Sequence, residues 1–181
     1  MLLNLQNPVR EPETLATIRF QDCDPFGHLN NARYIDYFFN ARQDQLVEHY
    51  NLYTYEPNSA AQASWVVKKT QIAYLRPAQV MEQVLIRTRL IHFSDKTLVV
   101  EGLMLDKEGK QLKALVWVEF VYVSLTNGRP TNHPEELLEL CRSILVPADY
   151  NPDMFNRRVE IVGQQFKLRA PKVELAVAAS N

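Results

Sequence analysis

An excess of charge of either sign is missing from this chain. Its 20 lysines and arginines stand against 21 aspartates and glutamates, a net charge of −1 with the four histidines neutral. Such a balance gives no general attraction to nucleic acid or membrane. Cysteine is scarce: Cys23 and Cys141 lie far apart without metal-type spacing, which points to reduced thiols in a cytoplasmic protein. The histidines are scattered and form no metal-ligating pattern, so no metal is expected. No apolar run approaches the ~18 residues needed to span a bilayer. Met1 to Thr14 lacks a basic start followed by an apolar run, so no signal peptide is expected. No internal repeat is visible. At 181 residues and 46% hydrophobic content, the chain has material for one well-buried domain but not comfortably for two.

What is present is concentrated in one stretch, Asp22-Cys23-Asp24-Pro25-Phe26-Gly27-His28-Leu29-Asn30-Asn31-Ala32-Arg33-Tyr34. Before it, Thr14 to Phe20 alternates apolar and polar residues as a half-buried strand does. After it, residues 32–50 place Tyr34, Ile35, Phe38, Phe39, Ala41, Arg42, Leu46 and Tyr50 on one broad face. That face suits a helix wrapped by a sheet. Pro25 and Gly27 make the stretch a turn, and Asn30 and Asn31 are natural N-caps. Two carboxylates, an imidazole and two amides are thus expected at the positive end of a helix, where negative charge is favoured.

These residues closely resemble a family, the hotdog-fold 4-hydroxybenzoyl-CoA/long-chain acyl-CoA thioesterases. Its Asp-x-Asp-x-x-Gly-His-(Val/Leu)-Asn-Asn-x-x-Tyr pattern is filled by Asp22, Asp24, Gly27, His28, Leu29, Asn30, Asn31 and Tyr34. The likeness continues through Ala41-Arg42 and Tyr74-Leu75-Arg76-Pro77-Ala78, over roughly the first three quarters of the chain. It implies an α+β hotdog fold, an antiparallel sheet of five or more strands around a long central helix. Residues 1–145 would form the thioesterase domain, and 146–181 a C-terminal extension of unknown role. It also implies a homodimer or homotetramer with sites at subunit interfaces, and an acyl-CoA substrate that itself carries the coenzyme A, with no further cofactor.

Downstream, strands are expected at 65–75, 83–93, 96–105 and 111–123, with Asp106-Lys107-Glu108-Gly109-Lys110 as a hairpin turn. The run from Ala114 to Val123 reads as a strand buried on both faces or at a subunit contact. Asn132 is expected to cap a short helix ending near Ser143. In the tail, 157–162 and 166–168 read as short strands, and 176–181 as a frayed end.

By the resemblance, Asp24 aligns with the family's catalytic aspartate. A carboxylate at a helix N-terminus can attack a thioester or activate water, while nearby N–H groups stabilise the oxyanion. The plain alternative is an Asx turn before Pro25. Asp22 is expected to brace the loop. His28 either orients water or substrate, or donates to a loop carbonyl. Asn30 is expected to face the thioester more than Asn31 does. Gly27 permits close backbone approach, and Phe26, Asn31 and Tyr34 complete the expected substrate surface. Cys23 is rejected as nucleophile because flanking carboxylates disfavour its thiolate. A calcium loop is excluded because Phe26 and Arg33 stand where ligands are required. Many relatives carry Glu where this chain has Phe39, which is expected to line an acyl pocket or to be core. Lys68, Lys69, Arg76, Arg87 and Arg89 are candidate phosphate anchors. The expected activity is hydrolysis of an acyl-CoA to acid and thiol. Alternatives are hydrolysis of acyl carrier protein thioesters, or a non-catalytic acyl-CoA-binding module.

Overall fold

The computed structural model describes residues 3, 7–54, 62–148 and 150–169. Five strands, β1 (Glu13–Thr17), β2 (Ala63–Tyr74), β3 (Gln83–Phe93), β4 (Thr97–Asp106) and β5 (Leu112–Ser124), make one sheet in the order β1-β3-β4-β5-β2. Every neighbouring pair is antiparallel. The helices are α1 (Tyr34–Tyr50), α2 (Glu135–Ile144) and α3 (Phe155–Arg169).

Strand alternation sorts side chains onto two faces. On the inner face, Val84, Ile86, Met104, Ala114, Val116 and Val118 pack against Tyr34, Phe38 and Ala41 of α1. Each fully buried valine, isoleucine, methionine or phenylalanine among them contributes roughly 1.5–3 kcal/mol. Gly102 lets the helix come close: a Cβ there would sit 2.7 Å from the Phe38 ring and 2.8 Å from Val116. Gln45 is buried on α1 but satisfied, donating to Thr14 Oγ1 at 3.0 Å and to the Ile86 carbonyl at 3.1 Å. On the outer face, Leu103, Leu105, Leu115 and Trp117 meet Phe155, Val162 and Phe166 of α3. Helix α2 closes one end, its Leu140, Cys141 and Ile144 packing with Tyr50 and Leu90.

Three expectations need correcting. The tail segment 157–168 is not two strands but part of α3, with Phe155, Val159, Val162 and Phe166 in one helical stripe. Helix α2 starts at Glu135 after Pro134, with no side-chain cap, so Asn132 does not cap it. Strand β1 ends at Thr17, three residues short of the expected Phe20, where a 3-10 turn begins. Strand β5 is an inner strand buried along most of its length, as the first of its two readings expected, and the long edge strand is β2. The expected frayed end at 176–181 lies outside the described residues.

Candidate active site

After β1 the chain passes through a short 3-10 turn at Phe20–Asp22 and folds back on itself. The Asp24 N–H donates to the His28 carbonyl at 2.8 Å, and the Gly27 N–H to the Asp24 carbonyl at 3.0 Å. Gly27 closes this turn at φ 76°, a left-handed conformation that side-chain-bearing residues avoid. The loop is tied to the segment after β2: Leu29 N–H donates to the Ala78 carbonyl and Val80 N–H to the Gly27 carbonyl, both at 2.8 Å. The Asn30 side chain then accepts from Ala32 N–H at 3.0 Å and starts the 3-10 turn Asn31–Arg33 that leads into α1.

Asp24 accepts from Phe26 N–H at 2.9 Å and His28 N–H at 3.1 Å, both on Oδ1. It therefore makes the Asx-type turn and lines a cavity at the same time. That cavity, about 250 Å³, is lined by Asp24, His28, Leu29, Asn31, Tyr34, Tyr74, Leu75, Arg76 and Pro77. Two tyrosines form its apolar wall, their rings edge-to-face at 5.1 Å. Tyr34 accepts from Ala78 N–H at 3.2 Å, and Tyr74 donates to the Asn31 carbonyl at 2.8 Å. Burial pushes both phenols above their ordinary pKa, so they stay neutral.

Asp22 sits outside this cavity, bound by the Tyr37 hydroxyl at 2.9 Å, which itself accepts from Arg19 N–H. It ties the loop to α1. The Cys23 thiol is pushed up by burial and then by the charges of Asp22 and Asp24, and its Sγ donates to the Arg19 carbonyl. A thiol so placed is a poor nucleophile at neutral pH.

Of the residues expected at the site, the structure brings Asp24, His28, Asn31, Tyr34 and Arg76 together. Asn30 is not among the residues lining the cavity; its side chain caps the helix turn, and Asn31 is the asparagine at the lining. Gly27 shapes the turn from behind, and Phe26 stands 83% exposed, away from the lining residues. Phe39 packs against Phe120 at 6.2 Å between ring centres and borders a separate void of about 20 Å³. Among the phosphate-anchor candidates, Lys68 pairs with Glu119, Arg87 with Glu13, and Arg89 with Glu11 and Glu101. Lys69 lies on the exposed stretch of β2. Arg76 alone of the five lines the cavity. Tyr74 is the site residue whose role the residues alone did not disclose. Its signal was an aromatic at a strand end just before Arg-Pro.

Residues 18–140 match the model of the thioesterase-like superfamily, about two thirds of the chain. The chain belongs to that superfamily. This thioesterase is 28% identical over 128 residues to the long-chain acyl-CoA thioesterase FadM of Escherichia coli K12, covering 70% of this chain and 94% of FadM. It superposes on the probable thioesterase YbaW of E. coli with a TM-score of 0.59 at 26% identity, over 73% of this chain and 98% of that one. The fold is also that of Slr0204, a 1,4-dihydroxy-2-naphthoyl-CoA thioesterase from Synechocystis, with a TM-score of 0.65 at 15% identity over 74% and 95% of the two chains. The protein is a thioester hydrolase of α+β hotdog fold. Helix α3 lies beyond the matched segment. No helix among the described residues is long and apolar enough to cross a membrane.

Proposed function

We propose that this thioesterase hydrolyses acyl-CoA to free acid and coenzyme A, with Asp24 as nucleophile or general base. The observation that carries the reading is the one-sided anchoring of Asp24. Its two described hydrogen bonds fall on Oδ1 and fix the carboxylate, while the side chain lines the cavity at the start of α1. As nucleophile, Asp24 attacks the thioester carbonyl carbon, the tetrahedral oxyanion collapses, and the sulfur leaves to take up a proton. Water then opens the mixed anhydride to acid and regenerates the carboxylate. As general base, Asp24 takes a proton from the attacking water instead. In both routes N–H groups near the helix start lower the energy of the oxyanion. His28 orients water, and Asn31, Tyr34 and Arg76 hold the substrate. Neither route calls for a metal or redox cofactor.

The assembly in this reading is a homodimer or homotetramer acting in the cytoplasm, without nucleic-acid or membrane partners. The long edge strand β2 with its exposed Val66 and Val67 supports association, since an open edge can pair with a second chain. Light scattering should give a multiple of the 21.0 kDa chain mass at micromolar concentration. A stable monomer would remove this part.

The central test is Asp24→Asn, which keeps size and turn-forming ability but removes the charge. Turnover should fall by at least ~10²–10⁴-fold. Asp22→Asn should do much less, because Asp22 is held by Tyr37 outside the cavity. Retention of most of the rate by Asp24→Asn would end the assignment. Wild type that binds acyl-CoA but releases no thiol from it would favour the binding-module reading.

A further inference from the structure

Helix α3 does more than cover the sheet. Its Val159, Glu160, Gly163 and Gln164 form one wall of a groove of about 420 Å³, whose other wall is Leu75-Arg76 and the β4–β5 hairpin at Lys110. Leu75 and Arg76 also line the Asp24 cavity, so the two spaces share a rim. Backbone bonds fix that rim: Leu75 and Arg76 N–H groups both donate to the Lys113 carbonyl, at 2.8 and 3.0 Å. Arg76 reaches toward Gln111 Oε1 at 3.4 Å, a long contact that leaves most of its guanidinium donors for a ligand.

Gly163 lies in the wall that α3 contributes. A glycine inside a helix costs about 0.5–1 kcal/mol relative to alanine. Among the described residues nothing lies within 4 Å of where its Cβ would be, so packing against them does not require it. Gly163 itself lines the groove, and a side chain there would have open space to extend into.

We propose that this groove holds the phosphorylated nucleotide end of coenzyme A, with Arg76 and Lys110 meeting phosphate and Gly163 keeping the wall low enough for the nucleotide to lie against α3. The inference rests on the acyl-CoA reading of the Asp24 cavity, because the shared rim places thioester and nucleotide in adjoining spaces. Among the groove's described lining residues Glu160 is the one carboxylate, against the cations Arg76 and Lys110. The net balance still favours a polyanion. The C-terminal helix thereby becomes a substrate-recognition element that lies outside the part of the chain matched by the superfamily.

The experiment compares acyl-CoA with the acyl-pantetheine thioester, which lacks the nucleotide, in wild type, Lys110→Glu and Gly163→Phe. Titration calorimetry with coenzyme A itself runs beside it. Both variants should raise KM for acyl-CoA by about 10-fold or more and weaken coenzyme A binding alike, while acyl-pantetheine kinetics stay as in wild type. Gly163→Ala is the folding control and should melt no lower than wild type. Equal kinetics for the two thioesters in all three proteins would overturn the groove and leave the hydrolase standing. Variants that lose activity on both thioesters together would also overturn it. Wild type that turns over neither thioester, yet binds coenzyme A in a way both variants weaken, would keep the groove and end the hydrolytic reading of Asp24. An acyl carrier protein thioester is run as a third substrate, and a rate loss seen only with it would assign the groove to that carrier and overturn the proposal.

Discussion

Glu101 and Gly102 are neighbours in β4, and the alternation of a strand sends one to each face of the sheet. Gly102 faces α1 and has no side chain, so the Phe38 ring rests almost on the backbone. Glu101 faces α3 and is fully buried, yet charged. It accepts from Arg89, from Arg158 of α3 at 2.8 and 3.0 Å, and from Trp117 Nε1 at 2.8 Å. Burial alone would raise its pKa; the Arg158 hydrogen bond, the charges of Arg89 and Arg158 and the Trp117 N–H outweigh that and hold it below the ordinary carboxylate value. At this point of β4 the inner side is therefore specified by shape, and the outer side by charge as well as shape. Shape tolerates similar volumes. A buried ion cluster accepts only one arrangement of donors.

Changing one residue on each side sharpens the contrast. Glu101→Ala leaves Arg89 and Arg158 without their buried carboxylate and should cost about 3–5 kcal/mol of stability, measured by urea denaturation. A loss under 1 kcal/mol would show that the cluster does not organise the outer face. Truncating Phe39, which packs partly buried against the inner core beside Phe120, should cost up to about 3 kcal/mol and leave acyl preference unchanged. A changed preference with an unchanged melt would move Phe39 into the acyl site. Gly102→Ala places a methyl against Phe38 and should cost about 1–3 kcal/mol by overpacking. A neutral result would mean that α1 can lift away from the sheet.

The smallest effect is one of pH. His133 is buried beside Trp65 and Tyr122, and burial pushes its pKa below the ordinary 6.5, against upward contributions from the Ser94 and Asp95 backbone and the Asp95 charge. It is neutral when folded, whereas the unfolded chain takes up its proton near pH 6.5. Stability is thus complete above that pH and falls as the pH drops toward the folded value. Glu101 adds a second loss with the same sign, setting in below its unfolded pKa near 4.5 as the pH approaches its folded value. Melting temperature against pH should decline below about 6.5 in wild type and stay flat there in His133→Gln.

The loop, α1 and, to within two residues, the bounds of β2 to β5 were legible because each is a local pattern, whereas β1 stops at Thr17 instead of Phe20. Alternation located β3 to the residue, and the thirteen-residue stretch carried the loop and the start of α1. Helix α3 was not legible. Read alone, Val159-Glu160-Ile161 alternates like a strand, and Gly163 weakens the helical signal. Its helical stripe gains meaning only once the outer face of the sheet is there to receive it. The partners of Glu101 were equally hidden, since they come from β3, β5 and α3, far apart in the chain. At the site, the motif drew attention to Asn30, but its amide oxygen accepts from Ala32 N–H in the turn before α1. Which of two adjacent asparagines faces a cavity depends on the loop path, and that is set by backbone bonds to residues 78–80.

The chain has two tryptophans, and the sheet separates them. Trp65 donates its indole N–H to His133 Nε2 at 2.9 Å, beside α2. Trp117 donates to Glu101 and packs edge-on against Phe155 of α3. Each is thus a built-in fluorophore for its own layer. Protonation of His133 removes the acceptor of Trp65, so that emission should change below about pH 6.5, whereas Trp117 responds only at the lower pH where Glu101 is protonated. Replacing either indole with phenylalanine leaves a single-colour reporter. The undocking of α3 can then be watched in real time, without a label, separately from events at the opposite face.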